Sequence, residues 1–153
     1  MESLKLYKWL IGTKTKFANT FNTEEMQKNA KTFWNDLDGA TTLVIIGFIA
    51  IAIVMAFIYY QPYNNKPGRH YRPRHWLCFL GVTFVVVLLA SLGVESIFAK
   101  PSISGAFVLE LKVAIGSAIY ASLLYFFVSV FWCNFLPTNA YRLFKINLKN
   151  NNE

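Results

Sequence analysis

The sequence predicts an all-α integral membrane protein: three transmembrane helices preceded by an N-terminal amphipathic helix and a second short helix. Three observations carry this. The 153-residue chain is 55% hydrophobic and only 15% charged, well below the roughly 25% charge of soluble domains. Residues 40–60, 76–94 and 113–133 are uncharged runs of membrane-crossing length. The basic residues, which give a formal charge of +7, flank these runs, so anionic lipid headgroups are the expected partner of that charge.

The N-terminal arm, residues 1–39, differs in character. At 100° per residue Leu6, Trp9, Leu10, Thr13 and Phe17 share one face, and Lys5, Lys8, Gly12 and Lys16 the opposite one. Such a helix suits the membrane interface, although the same apolar face could pack on the rest of the protein or on a neighbouring subunit. A second helix is expected to begin near Asn22 or Thr23, with Glu24 and Glu25 in its positive first turn, and to run to about Asn35. "NDLDG" then reads as a turn, with Asp36 or Asp38 capping the first span.

The first run, from Ala40 to Tyr60, is about 32 Å long as a helix, enough for a ~30 Å hydrocarbon core. Without water, backbone groups must bond within the segment, so each run should be helical. Residues 61–75 follow, with Pro62, Pro67, Gly68 and Pro73 opposing a continuous helix. The second span covers 76–94. The third is expected over 104–136, with Ser102 and Ser104 as candidate caps and Pro137 as the stop. It is longer than the hydrocarbon core, so it should tilt or project. The tail, 137–153, is polar and asparagine-rich.

The positive-inside rule favours a cytoplasmic 61–75 loop and C-terminus in a plasma or inner membrane, since that side carries more Lys and Arg near the spans. Tyr59, Tyr60, Tyr63, Trp76, Trp132 and Phe135 fall at the matching helix ends and read as an aromatic belt.

Candidate functional residues form three groups. Lys66, Arg69, His70, Arg72, Arg74 and His75 pack cationic and titratable side chains into one proline-stiffened loop, which holds three of the four arginines. Guanidinium forks match phosphate oxygens, so the loop is a candidate site for an anionic lipid, small molecule or nucleotide. The plainer reading is a topology signal. On the third span Ala114, Ala118, Ala121, Ser122, Tyr125 and Ser129 share a small, hydroxyl-bearing face. It could line a pore or let helices pack closely; Leu124, Phe127, Phe131 and Val113 are placed elsewhere. Glu95 and Glu110, at the opposite boundary, are candidate ion-selecting acids of an oligomeric ring, or sit in headgroup water beside Lys100 and Lys112. His75 and Cys78, with Cys133 at similar depth, make too small a set for zinc.

No phosphate-binding loop, nucleophile elbow or metalloprotease motif occurs, so no enzyme and no cofactor is expected. The expected function is a channel or pore-forming subunit that assembles as a homo-oligomer, since three helices alone enclose no useful aqueous path. A non-catalytic accessory or scaffold subunit of a larger membrane complex is the alternative, ahead of a small lipid-acting enzyme.

Overall fold

The computed structural model describes residues 3–64, 73–99, 103–138 and 144. The chain is all-helical, with no strand among the described residues. A 3-10 turn, Ser3–Tyr7, leads into two short helices, α1 (Lys8–Ile11) and α2 (Lys14–Ala18), and then into α3 (Glu24–Ile58), α4 (Pro73–Phe98) and α5 (Ala106–Phe135). The last three are each long and apolar enough to cross a membrane, and each packs on the other two.

The arm is not one amphipathic helix. α1 ends at Gly12, whose φ of 79° is the left-handed geometry that glycine adopts without Cβ strain. Thr13 then caps α2, accepting the Lys16 backbone N–H at 3.4 Å. "IGT" is therefore a stop followed by a start, which a search for one continuous amphipathic face overlooks. The buried residues also differ from that face: Leu4, Tyr7 and Ala18 are covered, whereas Leu6 and Trp9 are exposed.

α3 begins as expected, with the Thr23 hydroxyl accepting the Met26 N–H and Glu24 and Glu25 in the first turn. It does not stop near Asn35. It runs 35 residues, through "NDLDG" and on into the first apolar run. The reason is visible in its inward stripe: Ala30, Phe33, Leu37, Ala40, Thr41, Val44 and Phe48 are all buried at three- and four-residue intervals. Leu37 carries the stripe across the polar stretch, and no proline interrupts it. Asp38 caps no helix; its carboxylate accepts the Leu4 backbone N–H at 2.7 Å and ties down the arm.

α3 ends in a π-helical turn, Tyr59–Tyr63, that contains Pro62. Proline donates no backbone hydrogen bond, so the wider turn absorbs it. α4 opens on Pro73, a residue suited to the first turn. α5 is preceded by Gly105 at φ 83°, not by a serine cap.

Two clusters fill the bundle. One, at the arm end, joins Leu4, Tyr7, Phe33, Leu37, Leu109 and Val113. The other, toward the opposite end, joins Ala52, Ala56, Tyr59, Tyr60, Trp76, Ala121, Tyr125 and Cys133. Val113 is thus a core residue, contrary to its expected place off the packing face. The expected aromatic belt also turns inward. Tyr59, Tyr60 and Trp76 are buried, Tyr60 stacks on Trp132 with ring centroids 5.7 Å apart, and Trp76 donates its indole N–H to Ser129 at 3.0 Å. Only Phe135, 73% exposed, stands fully outside. Three-helix packing at this end has large gaps to fill, and aromatic rings fill them.

Candidate functional site: a buried acid pair between α4 and α5

α4 and α5 run antiparallel across a short joint, so the end of one lies beside the start of the other. This brings Glu95 of α4 near Glu110 of α5. Neither carboxyl reaches headgroup water: both side chains are fully buried inside the protomer. Among the described residues, both oxygens of Glu95 and Oε1 of Glu110 have no hydrogen-bond partner. The remaining oxygen, Glu110 Oε2, accepts from Ser96 Oγ at a long 3.4 Å. Lys112 is exposed on the other side of α5 and Lys100 lies outside the described residues, so the expectation of solvated acids is replaced by enclosed ones. Helical phase explains the burial. Glu95 lies one turn beyond Ser91 on the inward face of α4, and Glu110 lies between Leu109 and Val113 in the inward part of α5.

The arm closes the site. Tyr7 is buried against α5 with its hydroxyl 2.8 Å from Ser117 Oγ. Ser117 donates its own proton to the Val113 carbonyl at 2.9 Å, which makes Tyr7 the donor in this pair. Burial pushes the Tyr7 phenol up to about 12, with the neighbouring Glu95 adding to the effect, so it holds its proton at any physiological pH. One turn further along α5, the Trp9 indole N–H donates to the Tyr120 hydroxyl at 3.0 Å, and Tyr120 donates to the Leu6 carbonyl at 3.0 Å. Gly116 permits the contact: a Cβ there would sit 2.7 Å from Tyr7 Cδ1. The sequence reading did not place Tyr7, Gly116 or Tyr120 among the candidate functional residues. A glycine and a serine side by side mid-helix were the available signal, since together they leave room and a hydrogen-bond partner for an incoming ring.

The other candidate residues are distributed as follows. Ala114, Ala118, Ala121, Tyr125 and Ser129 are buried within the protomer, and Ser122 is half-buried with its hydroxyl donated to the Ala118 carbonyl. This face is occupied by intramolecular packing. Of the basic loop, Lys66, Arg69, His70 and Arg72 lie outside the described residues; Arg74 is exposed and His75 half-buried in the first turn of α4, with its ring 6.0 Å from that of Tyr63. Cys78 is on the exposed side of α4, while Cys133 is inside, its sulfur 3.5 Å from the Tyr60 hydroxyl.

The fold and this site define a class: an all-helical chain with three helices of membrane-crossing length and two carboxyls enclosed between two of them. Protein-family models, curated proteins and solved structures yield no match to the chain.

Proposed function

We propose that the protein is an ion-handling subunit of a membrane assembly, with Glu95 and Glu110 binding a proton or a monovalent cation on its way across or into the bilayer. The observation that carries this reading is the enclosure of two neighbouring carboxyls with three of their four oxygens unpartnered among the described residues. Acidic groups inside membrane helices are expensive and generally mark ion or proton sites. A purely structural pair would have its oxygens satisfied, because an unmet buried acceptor costs about 1–3 kcal/mol. The path differs from the one expected of a pore lined by the small face of α5, since that face is spent inside the protomer.

Assembly is supported by the outer surface. Only 17% of the most apolar stretch of α4 is buried, against 44% for α5. Leu77, Val82, Val85 and Leu89 stand out from it, available to lipid or to neighbouring subunits. The same surface favours the second reading, an accessory subunit docked on a larger membrane complex. Reconstitution in liposomes separates the two. With an imposed pH or potassium gradient, wild type should dissipate the gradient, and Glu95→Gln and Glu110→Gln should each abolish flux while keeping the wild-type helical circular dichroism. Wild-type protein that inserts, oligomerises and passes nothing would sink the ion-handling reading. So would glutamine variants that match wild type.

A further inference from the structure

Between the arm and α3 lies an open-mouthed cavity of about 310 Å³, and its lining is mostly basic and polar. Lys5, Lys8 and Lys14 line it, with the hydroxyl-bearing Thr13 and Thr15 and with Trp34. Asp38, the one carboxylate among the described lining residues, is already engaged by the Leu4 N–H at 2.7 Å. Asn35 accepts from Lys14 Nζ at 2.7 Å, which positions that ammonium at the rim. The break at Gly12 and Thr13 separates α1 from α2, which packs on α3, and residues from both sides of the break line the cleft. No atom lies within 4 Å of where a Gly12 Cβ would be, so the backbone there is open to a ligand.

We propose that this cleft binds a phosphate-bearing group. Lysine serves as a point-charge phosphate binder, and threonine hydroxyls complete the oxygen shell. The volume is at the small end of ligand sites, which run from about 300 Å³ upward, and so suits a single headgroup. Trp34 and Asp38 sit just ahead of the apolar part of α3, which begins at Ala40. The cleft therefore lies at headgroup level when α3 crosses a bilayer, at the opposite end of α3 from the Tyr59–Tyr63 turn. Leu6 and Trp9 of the same arm segment are exposed as well, apolar and aromatic side chains suited to that interface. The ligand is either the headgroup of an acidic phospholipid or a free phosphate compound.

The test uses full-length protein in neutral detergent micelles, titrated with phosphatidate, with glycerol phosphate, or with inorganic phosphate, while thermal unfolding is followed. The variants are Lys8→Gln/Lys14→Gln and, as a control of equal charge, Lys28→Gln/Lys31→Gln, whose lysines are exposed on α3 away from the cleft. The wild type and control should show saturable stabilisation, and the cleft variant should bind at least about tenfold more weakly, as expected for two lost lysine contacts. Stabilisation by phosphatidate alone identifies a lipid site; stabilisation also by the soluble phosphates identifies a free ligand. No saturable stabilisation by any of the three, or equal weakening in both double variants, overturns the proposal. A cleft variant that unfolds without ligand is replaced by Thr13→Val/Thr15→Val, which keeps the charge and should still lose affinity.

Discussion

Gly116 shows how a single position decides where the arm goes. Tyr7 approaches so closely that a methyl group at Gly116 would fall 2.7 Å from the ring, whereas a methyl at Gly81 would meet nothing within 4 Å. Both glycines are mid-helix, so alanine gains helix propensity of about 0.5–1 kcal/mol at each. At Gly116 overpacking opposes that gain by about 1–3 kcal/mol. Gly81→Ala should therefore stabilise slightly and Gly116→Ala destabilise, with earlier proteolytic cleavage of the arm. Reversible unfolding in mixed micelles measures the difference; equal shifts at both sites would show that the arm is not seated on α5. Tyr7→Phe removes only the hydrogen bond to Ser117 and should cost about 1 kcal/mol by the same measurement.

Among the elements, α3 carries the sharpest contrast with the sequence reading. A turn at "NDLDG" would accept a proline at Gly39, since turns use proline freely. An unbroken helix would not: proline at 39 removes a hydrogen bond and its ring meets the carbonyl of Asn35, at a cost of about 3 kcal/mol or more. Gly39→Pro should thus lower the stability of the bundle by that amount and detach the arm, which hangs from Asp38 and Thr42 on the same helix through Leu4 N–H and Ser3 Oγ. A variant as stable as wild type would restore the two-helix description. The start of α3 was legible because a cap and two acids mark it locally. Its continuation was not, because one leucine in a polar stretch acquires meaning only from the neighbours that bury it.

For the molecule as a whole, the question is whether the small face of α5 holds the protomer together or joins protomers. Ala118 is completely buried and Phe127 is 63% exposed. Ala118→Leu should destabilise the protomer itself by about 1–3 kcal/mol through overpacking, at every protein concentration. Phe127→Leu should leave protomer stability within about 0.5 kcal/mol, as surface changes do. A loss at Ala118→Leu that vanishes as protein concentration rises would place that face between subunits instead.

What the sequence determined by itself is the part set by solvent and backbone: three uncharged stretches of bilayer length must be helices, because in apolar surroundings no other single-chain segment satisfies its own peptide groups. Caps and breakers also read locally, as at Thr23 and Pro137. The tertiary structure decided which way side chains point and what they meet. Glu95 and Glu110 stand 15 positions apart, at the ends of two helices, and helical phase together with antiparallel packing encloses them side by side. Tyr59, Tyr60 and Trp76 have the composition of an interfacial belt, yet the gaps between three helices draw them inward. Lys5, Lys8 and Lys14 line one cleft because the helix break at Gly12 lets both arm helices border it beside α3. Each of these depends on the relative placement of two elements, and the energy that sets it comes from contacts far apart in sequence, which no local window contains.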